Sequence, residues 1–264
     1  MCSLRLPAGS SRLPKSALAH LRVLHGACLT DPWRACLARI FQDWETRRFV
    51  KTMKKDGRAT YSAKSFDHLR GLSGISDAQI TEHLDLYAGY VKQVNSLVQE
   101  LSEMRADRKE AGKDFSLAEG TRRLAFEYDG MVLHELYFSN LKPGGEARPT
   151  ERQALGRALA ETFGSVEQWQ ENFQTIAGMR GIGWVILFED PVTERLTNHW
   201  VSLHQDGIPA RCKPLLVMDV WEHAFMRDYK ASERTKYVDA FFKNVDWSVV
   251  DQRLSEAGTV KSAA

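Results

Sequence analysis

Cysteine is scarce in this chain. There are four among 264 residues (Cys2, Cys28, Cys36 and Cys212), and no two of them form a CxxC pair. That excludes a disulfide framework and a zinc knuckle. No stretch approaches the ~20 consecutive apolar residues that a membrane-spanning helix needs, so an integral membrane protein is excluded as well. Neither sign of charge dominates. The balance of 36 basic and 34 acidic residues, net +2, is too even for nucleic-acid binding by bulk charge. What is present is a 43% hydrophobic share, enough for a water-soluble globule with a core, in one large domain or two smaller ones.

Acid is also missing locally. The first thirty residues hold no Asp or Glu but carry Arg5, Arg12, Lys15 and Arg22 among Ser, Ala and Leu. Residues 1–57 therefore read as a leader, disordered or translated from a start codon upstream of a true start at Met53, with an organellar presequence or a folded extension as the alternatives. The corresponding location is the bacterial cytoplasm, or the mitochondrial matrix if 1–57 contain a presequence.

From Ser76 onward the signals are helical. Ser76-Asp77-Ala78-Gln79 has the form of a capping box. Ile80, Leu84, Tyr87, Val91 and Val94 then recur at three- and four-residue steps on one helix face. After the charged run 105–113, a second helix is predicted over 118–140, stopped by Lys142-Pro143-Gly144-Gly145. Helices are predicted over 150–163 and 166–177, and strands over 183–189, 196–203 and 214–219. Helix returns over 221–228 and 233–244. The plan is α+β: an N-terminal antiparallel helical hairpin (58–145), then a domain with a three-stranded antiparallel sheet surrounded by helices (146–255), and a tail (256–264).

Four residues from three distant segments carry the chemistry. Asp219 and His223 bracket a strand-to-helix corner, His134 lies in an apolar part of the second helix, and His83 lies in the first. Three imidazoles and a carboxylate suit a first-row transition metal. Taken singly, each has an ordinary reading: a core histidine, or for Asp219 a helix N-cap. Spacing alone does not combine them.

A resemblance does. Asp219-Val220-Trp221-Glu222-His223-Ala224-Phe225 resembles the DxWEHA signature of the iron/manganese superoxide dismutase family. His134 to Leu141 resembles the family's second-ligand stretch, and Gly181-Ile182-Gly183-Trp184 its GSGW strand opening. Ile75 to Asn95 resembles the first-ligand helix. The likeness is collinear over about residues 60–252.

The resemblance implies a superoxide dismutase with one manganese or iron ion per subunit, held by His83, His134, Asp219 and His223. It implies superoxide as substrate and a homodimer or dimer of dimers with Glu222 at the interface. Nucleic acid and membrane are not expected partners. Tyr90 takes the place of the funnel tyrosine, Trp184 and Trp221 match aromatics walling the site, and Arg234 matches an arginine near the funnel mouth with a one-residue shift.

Several positions depart from the family pattern. His83 to Tyr90 is one residue shorter than usual, which leaves the pair about 20° short of two full turns and still on one face. The usual His/Tyr gate is replaced by Leu86 (or Tyr87, depending on the gap) and Met226. Gly130 stands where iron-type members often have Gln, so the donor to metal-bound solvent is expected from His204 first and Gln205 second. A non-catalytic relative that keeps the fold as a structural or interaction protein is the alternative reading.

Overall fold

The computed structural model describes residues 52–53, 59–106 and 113–256. The leader other than Thr52–Met53, with Cys2, Cys28 and Cys36, lies outside the described residues, as do 107–112 of the charged run and all of the tail after Glu256. Strands β1 (Thr52–Met53) and β2 (Ala59–Thr60) form a two-residue antiparallel ladder.

Two long helices follow, α1 (Asp77–Ala106) and α2 (Lys113–Ser139). They run antiparallel. The His83 ring meets Phe138, the Tyr90 ring meets Phe126, and Leu101 lies against Gly120. The periodic apolar face predicted for α1 is the one that packs inward, with Ile80, Tyr87, Val91 and Val94 all buried. α2 starts five residues before the predicted Ala118. Of the expected capping box only half forms. The Ser76 hydroxyl accepts from the Gln79 amide at 3.0 Å, but the Gln79 side chain turns elsewhere.

Helices α3 (Ala154–Phe163) and α4 (Val166–Ala177) meet at Gly164, whose φ of 92° ends the first. The Ser165 hydroxyl caps the second. α3 begins four residues later than predicted. Residues 150–153 form a turn that lies over the helix, and a Cβ on Gly156 would stand 2.1 Å from the Thr150 carbonyl oxygen.

The sheet is antiparallel with order β4–β3–β5: β3 (Trp184–Glu189) in the centre, β4 (Leu196–Val201) and β5 (Lys213–Asp219) on its flanks. Central β3 is buried from Trp184 to Phe188, which is why its sequence is an unbroken apolar run. β4 stops two residues before the predicted Leu203. Ser202 and Asp206 exchange backbone hydrogen bonds at 2.8 and 3.2 Å, and Leu203 turns to φ 52°. That tight loop directs His204 inward.

Helices α5 (Arg234–Phe242) and α6 (Trp247–Ser255) close the fold, completing six helices and a three-stranded sheet among the described residues. The architecture is the predicted α+β plan. One predicted helix is absent. Over 221–228 there is only a 3-10 turn, Glu222–Ala224, followed by further turns.

A single side chain ties α6 to both halves of the fold. The half-buried Arg253 guanidinium donates to Leu136 O (3.1 Å) and Ser139 Oγ (2.7 Å) at the end of α2. It also donates to Asn140 Oδ1 (2.6 Å) and to Leu215 O (2.6 Å) on β5. Burial lowers its pKa to about 10, still charged at neutral pH. Replacing the guanidinium by an apolar chain orphans carbonyls at a helix C-terminus. Arg253→Met is expected to lose ~2–4 kcal/mol of stability, read as a lowered urea midpoint for the metal-free protein.

Candidate metal centre

The four residues singled out by the sequence converge. His83 comes from α1, His134 from α2, Asp219 from the last position of β5 and His223 from the 3-10 turn. One ligand atom of each lies within 4.8 Å of all the others. Asp219 Oδ2 sits among them, 3.1 Å from His83 Nε2, 3.1 Å from His223 Nε2 and 3.6 Å from His134 Nε2. The first three side chains are buried and that of His223 is 26% exposed.

Local structure sets each donor. His134 Nδ1–H donates to the Gly130 carbonyl one turn back at 2.5 Å, so its Nε2 must carry the lone pair. That Nε2 is buried without a hydrogen-bond partner, the condition that a cation relieves. Asp219 Oδ1 accepts from Trp221 N at 2.8 Å, and the Tyr237 hydroxyl donates to the Asp219 carbonyl at 2.8 Å. The bond from Trp221 N to Oδ1 leaves Oδ2 for the centre. Gly183 permits the close strand approach behind this corner. Its φ is 142°, its carbonyl accepts from Val220 N, and a Cβ there would stand 2.1 Å from Val201 O.

The electrostatics match a metal site. Burial lowers the pKa of both His83 and His134, the latter well below the ordinary value, so both rings are neutral. For Asp219 burial acts upward, but the neighbouring His223 and His83 rings outweigh it and hold the carboxyl well below the usual range. A set of three imidazole nitrogens and one carboxylate fits iron or manganese.

Around the centre lies an aromatic wall. The Trp184 ring is 5.0 Å from His134. Tyr90 stacks on His134 at 5.1 Å, and Trp221 stacks on His223 at 5.7 Å. His204 stands behind Tyr90. Trp184 Nε1–H, a donor only, points at His204 Nδ1 at 3.0 Å, and Tyr90 Oη is 2.7 Å from His204 Nε2. The indole thus fixes the tautomer: the His204 proton is on Nε2 and is donated to the Tyr90 oxygen.

Gly130 makes room for this pair. A Cβ there would stand 2.8 Å from the Tyr90 ring and 3.2 Å from His204 Cδ2. Of the two expected donors it is His204 that touches Tyr90 and Trp184. Gln205 Oε1 is buried without a hydrogen-bond partner among the described residues.

Other expected positions also resolve. Tyr87 is buried and donates to Glu135 Oε1 at 2.9 Å, so it belongs to the helix packing. Leu86 and Met226 are exposed. Arg234 binds the carbonyls of Met179 and, at 2.7 Å, Gly181, so its guanidinium braces the loop before β3. Glu222 is exposed at the rim of an open hollow of about 590 Å³, lined also by Gln79, Glu82, His223, Met226 and Arg227.

Sequence reasoning did not place Gln79, Glu82 or Arg227 beside the centre. For Gln79 and Glu82 a signal existed: Gln79 precedes His83 by four residues and so shares its helix face. For Arg227 there was none, because its segment was read as a helix. That helix does not form because its polar groups are bound to the start of α1. Arg227 N donates to Gln79 Oε1 at 3.1 Å, and the Asp228 carboxylate accepts from Ser76 N and Oγ at 2.7 and 2.6 Å.

Comparison with known proteins agrees with this geometry. Residues 151–253 match the family described as iron/manganese superoxide dismutases, C-terminal domain. The chain is 38% identical to "Superoxide dismutase [Fe]" of Aquifex pyrophilus over 196 residues, 72% of this chain and 90% of the relative. It is 36% identical to "Superoxide dismutase [Mn] 2" of Haloferax volcanii over 184 residues, 69% and 88% of the two chains. With "Superoxide dismutase [Mn]" of Mycolicibacterium fortuitum the identity is 35% over 203 residues, 75% and 95% of the two chains.

Burial pushes the His204 pKa down from 6.5 to about 4, so between those values the unfolded chain binds a proton that the folded chain does not. Stability from this residue is complete above pH 6.5 and is lost as pH falls toward 4. The unfolding midpoint of the native protein should therefore drop more steeply over that window than that of His204→Gln. Nitrogen-15 NMR of the imidazoles should show His204 Nδ1 unprotonated at pH 7.

Proposed function

The chain belongs to the iron/manganese superoxide dismutase family, and we propose that His83, His134, Asp219 and His223 hold the single iron or manganese ion at which it disproportionates superoxide. Two superoxide ions and two protons yield one dioxygen and one hydrogen peroxide. When bound, the metal supplies the one-electron couple that takes an electron from one superoxide and returns it to the next. The observation that carries this reading is the meeting of four donor atoms from four separate elements within 4.8 Å. Within that cluster the His134 Nε2 lone pair has no other partner.

The protein's own groups serve the proton half of the reaction. Burial pushes the Tyr90 phenol up to about 12, so it stays protonated at neutral pH. Because His204 Nε2–H is donated to the Tyr90 oxygen, the phenol proton is free to point at an anion arriving beside His134. Trp184, set edge-on to His134, and Trp221, stacked on His223, shield these histidines from bulk water. Asp219, ionised, offsets part of the metal's charge; the bond from Trp221 N keeps its carboxylate aligned, and the Tyr237 hydroxyl holds its backbone carbonyl.

We further infer a homodimer with Glu222 at the contact. Its exposure at the rim of the hollow over His223 supports this, as does the exposure of apolar Met226 on the same rim. The exposed Leu86 and Met226, in place of the usual gate, favour a second reading, a non-catalytic protein on the same fold. Superoxide consumption by the metal-loaded protein separates the two: full metal without dismutation would overturn the enzyme.

His223→Ala is expected to purify with almost no iron or manganese by elemental analysis, since it removes one of four donors. A full complement of metal would refute the ligand set. Tyr90→Phe should keep its metal but alter turnover or product inhibition several-fold at high superoxide flux. Kinetics unchanged from the native protein would remove the phenol from proton delivery.

A further inference from the structure

Three of the four donors ride on regular backbone: His83 and His134 within helices, Asp219 at the end of a strand paired to β3. His223 does not. It sits on a 3-10 turn three residues long, followed by more turns, and its side chain is the most exposed of the four. No helix or strand ladder sets the direction of its imidazole. Something else must.

We propose that Gln79 is the positioning residue for His223, its side-chain amide locking the ligand's own peptide to the helix that carries His83. Gln79 is 1% exposed and lies one turn before His83 on the same face of α1. Its Nε2 donates to the His223 carbonyl at 2.6 Å, and its Oε1 accepts from Arg227 N at 3.1 Å. Donor and acceptor ends are thus both spent on the backbone of the 223–227 segment, 144 positions away in sequence.

Other links from the start of α1 hold the same segment, but each grips further along or nearer the surface. Ser76 binds the Asp228 carboxylate, Glu82 pairs with Arg227, and the Tyr229 hydroxyl bonds the Gly74 carbonyl. Gln79 is the buried member of this set, and it bonds the residue that donates the nitrogen. A glutamine serving only as a helix-start residue would send its side chain back to the cap, and a core-filling role would be met by leucine. Fixing both ends of the amide has another use. It makes His83 and His223 one rigid pair, so the pocket keeps its shape before metal enters and releases metal slowly.

The proposal rests on the metal-centre reading above, and its test keeps the two apart. The native protein, Gln79→Leu, Gln79→Glu and Ser76→Ala are loaded with iron or manganese. Metal release to an excess of chelator is followed, together with the EPR spectrum of the loaded form. Gln79→Leu keeps the volume and loses both bonds. Gln79→Glu keeps the acceptor toward Arg227 and turns an oxygen toward the His223 carbonyl. Ser76→Ala removes the hydroxyl bond to Asp228 and the cap on Gln79 N, keeps the backbone bond from Ser76 N to Asp228, and does not touch the ligand's peptide.

Both Gln79 variants are expected to release metal at least about tenfold faster than the native protein and to show altered EPR, with Ser76→Ala close to native. Native release rates and spectra in the Gln79 variants would overturn the proposal. Equal acceleration by Ser76→Ala would do so too, since the effect would then be general tethering. If Gln79→Leu fails to fold, Gln79→Glu decides alone. A native protein that takes up no metal would refute the centre itself, a result separate from either of these.

Discussion

Three imidazoles and a carboxylate are packed around one oxygen, Asp219 Oδ2, with three of the four side chains fully buried. Burying such groups is costly unless their lone pairs and charge are satisfied. The protein's own hydrogen bonds satisfy the far sides of two of them: His134 through Gly130, and Asp219 Oδ1 through Trp221 N. The near sides are left facing one another. A cation is the group that makes this arrangement favourable, and much of the fold can be read as the means of holding it together. The helical hairpin supplies two donors at facing positions, the sheet delivers the third at a strand end, and a turn bound to the hairpin supplies the last.

A second layer of hydrogen bonds orders the groups proposed to handle protons. Trp184, by donating its indole N–H, assigns the His204 proton to Nε2, and that choice decides which way the Tyr90 hydroxyl points. The absence of a side chain at Gly130 is part of the same device, because a methyl group there would collide with the Tyr90 ring. Three residues from α1, β3 and the loop after β4 thus form one hydrogen-bonded chain, and one missing Cβ on α2 gives it space.

Much of this was legible in the sequence, and the limits have physical causes. The hairpin was readable because its apolar positions recur with the helical period, and β3 because its run of Trp, Val, Ile, Leu and Phe has no solvent face. The four donors were readable only through the family signature, since a histidine in a helix carries no mark of what it faces. The helix expected over 221–228 failed because tertiary bonds claimed its polar groups: Arg227 N, the Asp228 carboxylate and the Tyr229 hydroxyl all bind the start of α1. The same cause hid the use of Gln79, whose local pattern spoke for a capping box while its partner lay far along the chain. The inward turn of His204 toward Trp184 and Tyr90 follows from a reversal at Leu203, a backbone feature that no residue type there announces.

The donors on α1 and β5 lie 136 positions apart, so the centre draws together a loop spanning most of the described chain. Closing so long a loop is entropically expensive in the unfolded ensemble, and a bound ion acts on it as a reversible crosslink. During synthesis the first two histidines leave the ribosome long before the last donor exists, and a half-built set offers only two imidazoles. The complete donor set therefore exists only once the C-terminal segment has been made and has found its place.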